Sequence, residues 1–140
     1  MATRSSIGIE LENGNVLSIY CHWDGYPSGN GKILHDHYTD RNKVIELINL
    51  GNISYLEREV NPPEGSEHSF NYPFPNVTVS YHRDRDEEYK GPEKFETSEI
   101  FSENFGQSWA YLFNNSNQWM VTRGSGKYVS VISLLETDTD

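Results

Sequence analysis

Cysteine is almost missing from this chain. Cys21 stands alone, which excludes an internal disulfide and points to a reducing compartment. Long apolar runs are missing too: nothing approaches the roughly 18 residues that a membrane helix needs. The opening MATRSSIG lacks the apolar core of a signal peptide, so the expectation is a soluble, intracellular protein. Positive charge is scarce. Eleven Lys and Arg face 21 Asp and Glu, for a net charge of −10, and residues 51–100 alone hold 11 acids against 5 bases. Direct nucleic-acid binding needs clustered cations and is disfavoured. A cationic protein partner or mimicry of nucleic acid stays open, beside the plainer reading of an acidic surface as a solubility device.

Aromatic residues are what the chain has in quantity. Nine Tyr, six Phe and three Trp make 13% of the sequence, although hydrophobic residues total only 35%. Disordered chains lack aromatics, so this composition implies a folded domain with a small aromatic core. A length of 140 residues fits one domain, read as 1–136 with a flexible tail at 137–140.

Ile7–Leu11 and Leu17–Trp23 alternate apolar and polar residues around Asn13-Gly14, the pattern of a β-hairpin. A two-residue loop would split the apolar set between the faces. A three-residue loop, Glu12-Asn13-Gly14, instead gathers Ile7, Ile9, Leu11, Leu17, Ile19, Cys21 and Trp23 on one side. The other side then carries Glu10, Ser18, Tyr20, His22 and Asp24, with Arg4 across from His22.

Three glycines and a proline make Asp24–Gly31 a loop. Ile33, Leu34, His37 and Tyr38 follow at helical spacing. Thr39 or Asp40 can cap a further helix over 41–50, with Val44, Leu47 and Ile48 on one stripe and Gly51 as its stop. This predicts one kinked helix or two short ones lying on the oily face of the hairpin. Residues 61–75 read as loop, 76–82 (NVTVSYH) as a strand, and 83–88 (RDRDEE) as a solvated charged turn. A short helix is expected around Ile100 and Phe101. SWAYLF and QWMVT flank Asn114–Asn117 as a second hairpin, apolar on both faces and therefore central. Residues 127–135 read as a last strand, or a strand ending in a helical turn. The fold class is α+β: a mainly antiparallel sheet built from an N-terminal hairpin, a central strand and a C-terminal hairpin, with the helices on one face.

The residues with the richest chemistry fall between Tyr20 and Tyr38. Tyr20-Cys21-His22-Trp23-Asp24-Gly25-Tyr26-Pro27, followed by Gly31, Leu34, His37 and Tyr38, resembles a set of small, uncharacterised proteins encoded by tailed bacteriophages. LGNIS at 50–54, VSYHRDR at 79–85, Tyr111–Phe113 and Trp119 extend the likeness over most of the chain. The resemblance implies a phage accessory protein acting in the cytoplasm of a bacterial host, and it brings no mechanism with it.

Four chemistries are open on the residues themselves. His22 and Asp24 point the same way on a strand and, with one more imidazole, could hold a divalent metal. His35 and His37 diverge on a helix, so at most one can join, and His37 reads better as a hydrogen-bonded core residue. Cys21 points into the core, away from His22, and reads as packing rather than a nucleophile. The glycine-rich Gly25–Lys32 loop could hold an anion on its backbone N–H groups, although Ile33 stands where a phosphate loop needs Ser or Thr. His82, beside Arg83, could add acid–base chemistry.

The reading that follows is a non-enzymatic accessory protein with no resident cofactor. It binds a host protein or a small nucleotide-like ligand through Arg4, Tyr20, His22, Asp24, Tyr26, Lys32 and His82, in a counter-defence or host-takeover role. The alternatives are a small metal-dependent or His-based hydrolase or phosphoesterase, and a structural phage component whose motif only locks a turn. Self-association stays open.

Overall fold

The opening hairpin has the odd loop that parity demands. In the computed structural model, which describes residues 2–124 and 127–137 (the last two by backbone alone), β1 (Ser5–Glu10) and β2 (Val16–Cys21) are antiparallel. Ile7 pairs with Ile19 and Ile9 with Leu17. The Leu11 N–H donates to Asn15 O at 2.7 Å, closing Glu12–Gly14 with Gly14 at φ +91, where a Cβ is disfavoured. Ile7, Ile9, Ile19 and Cys21 enter one buried cluster, with Leu11 and Leu17 half-buried against it.

Trp23 does not join them. It is 43% exposed, because β2 ends at Cys21 and the chain turns at Asp24, whose φ is +60. Strand alternation no longer governs side-chain direction past that point. The polar face of the hairpin is also less open than expected. Val16, Phe95, Phe101, Ala110 and Leu112 form a second buried cluster there, with Phe101 over Gly8. The Tyr20–His22 end of that face keeps access to solvent, as does Glu10 at the other end.

The first cluster is roofed by two separate helices, α1 (Lys32–His37) and α2 (Arg41–Asn49). They are two because Asp40 is extended and its carboxylate accepts the Asn42 N–H, starting a new helix. Val44, Leu47 and Ile48 are the buried stripe of α2, and Gly51 at φ +77 ends it. In α1 the core residues are Leu34 and Tyr38 rather than His37, which is exposed. The Tyr38 hydroxyl donates to Glu57 O at 2.6 Å, and the Trp119 indole N–H donates to Tyr38 O at 2.8 Å.

The rest of the sheet is β3 (Ile53–Tyr55), β4 (Val79–Ser80), β5 (Glu93–Phe95), β6 (Trp109–Phe113), β7 (Trp119–Thr122) and β8 (Val129–Ser130), in the order β4-β3-β2-β1-β6-β7-β8 with β5 also paired to β2. Most pairs are antiparallel, but β1–β6 and β2–β3 are parallel, so the sheet is mixed. β2 and β3 are joined through α1 and α2, the kind of crossover a parallel pair requires, whereas β1 and β6 are separated by most of the chain, β2–β5 included. The second hairpin, β6–β7, is central as its two apolar faces suggest, with β1 on one side and β8 on the other.

The strand expected over 76–82 is short and lies at the edge of the sheet. After Ser80 the chain winds into α3 (Tyr81–Arg85) because Ser80 and Asp84 cap each other: Ser80 Oγ accepts the Arg83 N–H, and the Asp84 carboxylate accepts the Ser80 N–H at 2.8 Å. The stretch expected to be a solvated turn thereby carries a buried acid. α4 (Ser98–Asn104) holds Phe101, and α5 (Val131–Thr137) follows β8 directly. From 138 on, the expected tail lies outside the described residues. No helix among the described residues is long and apolar enough to cross a membrane.

Candidate functional site

At the end of β2 the backbone is clamped from several sides. The His22 and Trp23 N–H groups donate to Ile53 O and Ser54 O, and Gly25 N–H donates to Thr3 O at 2.8 Å. Pro27–Gly31 winds as a single wide π-helical turn, held by Gly29 N–H to Tyr26 O and Asn30 N–H to Asp24 O. Two glycines are required by close approach. A Cβ on Gly25 would sit 2.8 Å from Thr3 O, and one on Gly29 would sit 2.5 Å from Asp24 O.

Asn30 is the buried pin of this turn. Its amide nitrogen lies 3.2 Å from Trp23 O, 3.1 Å from Ser5 Oγ and 3.3 Å from Cys21 Sγ. The Tyr111 hydroxyl adds a 2.7 Å hydrogen bond to Gly25 O. Cys21 is fully buried, and burial pushes its thiol up to about 12, so it is a packing residue as alternation suggested.

The candidate residues fall into small groups around that clamp. The Tyr20 hydroxyl and His22 Nδ1 are 2.6 Å apart, and the Trp23 indole meets the His22 ring edge-on with centroids 4.8 Å apart. Burial raises the Tyr20 phenol, with the charge of Arg4 pulling the other way; Arg4 itself is exposed. The Tyr26 hydroxyl donates to Asp24 Oδ1 at 3.1 Å, which raises its phenol, and its ring is 41% exposed.

Lys32 and His82 stand apart from this group. Lys32 is engaged with Asp36 at 2.9 Å, one helical turn on, and with His35 it holds that carboxyl below its usual range. The Gly25, Gly29 and Asn30 N–H groups point inward to carbonyls. The loop thus has neither those donors nor a free Lys32 to offer an anion. His82 lies on α3, where its Nδ1 is 2.7 Å from Glu87 O and its ring lies edge-on to Tyr89. It lines a polar groove of about 330 Å³ with Asn52, Tyr81 and Lys90. That groove borders the hairpin through Asn52, whose Oδ1 accepts the Tyr20 N–H at 3.0 Å.

Among the described residues no three His, Cys, Asp or Glu come together as a metal cluster. The one imidazole that sequence reasoning left aside, His68, is bound into a buried charged network with Asp84 and Arg83. A signal for it existed only in Asp84, four residues beyond a good cap, and it was obscured by the surrounding charges. The chain matches no family model, no curated protein and no solved structure.

Proposed function

We propose that the protein is a non-catalytic binding protein whose recognition surface is the aromatic rim Tyr20, His22, Trp23 and Tyr26. The observation that carries this reading is the contrast between Asn30 and Trp23. The turn is pinned from inside by a buried amide, yet the large side chains of Trp23 and Tyr26 are left outside it. Trp23 is 43% and Tyr26 41% exposed. Trp and Tyr dominate the energetics of protein interfaces, and a backbone that is already ordered loses little entropy on binding.

A protein partner suits this surface better than a nucleotide, because Lys32 is engaged with Asp36 and, among the described residues, the exposed Arg4 is left as a lone cation beside Tyr20. The resemblance to phage accessory proteins supports a bacterial host protein as that partner, met in host cytoplasm, in a host-takeover or counter-defence role. The metal-dependent hydrolase has no supporting geometry at His22, Asp24 and His82.

The test is a comparative capture from bacterial host lysate. Wild-type protein and a Trp23→Ala/Tyr26→Ala variant are immobilised side by side, and captured proteins are identified by mass spectrometry. The reading expects a saturable partner held by the wild type and lost with the variant. Identical capture by both would overturn it.

A further inference from the structure

In residues 101–140 there are two cationic side chains, Arg123 and Lys127, and both line the same groove. Trp109, Val121, Val129 and Leu134 complete its apolar walls, around a volume of about 300 Å³. This is at the lower end of the range for small-molecule sites, which are mostly apolar with a few placed polar groups.

The sheet brings these side chains together. Ala110 pairs with Thr122 and Val121 with Val129, so continuing both registers sets Arg123 beside Trp109 on one side and Lys127 on the other. All three line the groove together with Val121 and Val129. The Arg123 guanidinium lies over the Trp109 indole, 4.7 Å from the ring centroid. Stacking fixes the plane of the guanidinium and leaves its N–H edge free.

Among the described residues Arg123 has no ion pair and no hydrogen bond, and neither does Lys127. Arg41 and Arg83, on α2 and α3, are by contrast engaged, Arg41 with Asn114, Asn117 and Glu10, and Arg83 with Asp84 and Val60. None of the described lining residues is acidic, although the protein carries 21 acids. Two unneutralised cations against oily walls, in a protein of net charge −10, form a local reversal of the surface charge.

We propose that this groove binds a small organic anion, a flat apolar body carrying a phosphate, with Arg123 and Lys127 receiving the phosphate and Val121, Val129 and Leu134 covering the ring. The planar fork of Arg123 suits bidentate contact with phosphate oxygens, and Lys127 supplies a second positive charge from the segment leading into β8. The site is independent of the aromatic rim, and either can fail without the other.

The test is a titration of the ¹⁵N-labelled full chain, followed by NMR, with four probes: 1-naphthyl phosphate, 1-naphthoate, 1-naphthol and inorganic phosphate. The proposal expects 1-naphthyl phosphate to saturate with shifts concentrated at the Trp109 indole N–H and the Val129 amide. It should bind more tightly than 1-naphthoate, at least about tenfold more tightly than uncharged 1-naphthol, and without saturation by inorganic phosphate alone. Arg123→Gln should lose at least about tenfold in affinity, and Arg123→Lys should lose less, because it keeps the charge without the fork. Lys127→Ala, at an exposed position, gives a second variant with an unchanged fold. Equal binding of 1-naphthol, full affinity in both Arg123→Gln and Lys127→Ala, or shifts centred elsewhere would overturn the proposal. Tighter binding of 1-naphthoate would overturn the assignment of phosphate.

Discussion

His68 Nε2 lies 3.1 Å from Asp84 Oδ2, with the two side chains only 2% and 1% exposed. The Phe74 N–H donates to the other ring nitrogen of His68 at 2.9 Å, which leaves Nε2 as the protonated nitrogen of a neutral ring, donating to the carboxylate. Asp84 also accepts from Arg83 Nε at 2.8 Å and from the Ser80 N–H, and Arg83 reaches on to Val60 O and Thr78 O. One buried carboxylate thereby ties the loop over 61–75 to the edge of the sheet.

Acid stability should register this. Burial alone would raise the Asp84 carboxyl, but the Arg83 guanidinium and the Ser80 N–H more than offset it and hold the group below the usual range. A carboxyl depressed in the folded state adds stability that is complete above its unfolded value of about 3.9, and that is lost as pH falls through the lower folded value. Wild-type protein should therefore lose melting temperature below about pH 4, and Asp84→Asn should lack that component of the slope. Removing one partner of a buried pair costs on the order of 3 kcal/mol, so Asp84→Asn should also melt well below wild type at pH 7. Thermal unfolding from pH 2 to 7 checks both.

The thiol offers a second check. Cys21 is fully buried and its thiol is pushed up to about 12, so iodoacetamide should leave it unmodified in native protein over hours and label it within minutes in denaturant. Intact-mass measurement at both conditions decides. Rapid labelling of the native protein would mean that the β2 end is open.

The glycines of the turn are a third. Gly29→Ala places a Cβ 2.5 Å from a backbone oxygen, and overpacking of this kind costs about 1–3 kcal/mol. Gly14→Ala meets no atom within 4 Å and is strained only through its φ of +91. Chemical denaturation should rank Gly29→Ala as the more damaging change.

What the sequence revealed depended on how local the cause was. The hairpin register followed from parity alone, because a slip would have turned Ile7 and Ile9 outward. The cap at Asp40 and the stop at Gly51 were equally local, and so was the central place of the doubly apolar β6–β7 pair. The parallel pairings of β1 with β6 and β2 with β3 were hidden, since nothing near Ser5 announces Trp109. α3 reads in the sequence as the end of a strand running into a charged turn, because Val77, Val79 and Tyr81 alternate and 83–88 is charged, while the Ser80 and Asp84 caps that bend the chain depend on burial of Asp84 by His68. At the site, Cys21 facing inward and His22 facing outward were legible. Trp23 was not, because the left-handed turn at Asp24 ends the alternation on which the reading of its direction relied.

The central claim is that the motif divides into a buried clamp and an outward rim that the fold does not need. Melting temperature of the Trp23→Ala/Tyr26→Ala variant, beside Gly29→Ala, tests it most directly. The account predicts that the rim variant melts within about 3 °C of wild type, the equivalent of roughly 1 kcal/mol, while Gly29→Ala falls further. A rim variant that melts as low as Gly29→Ala would mean that Trp23 and Tyr26 hold the turn together, and would contradict the account.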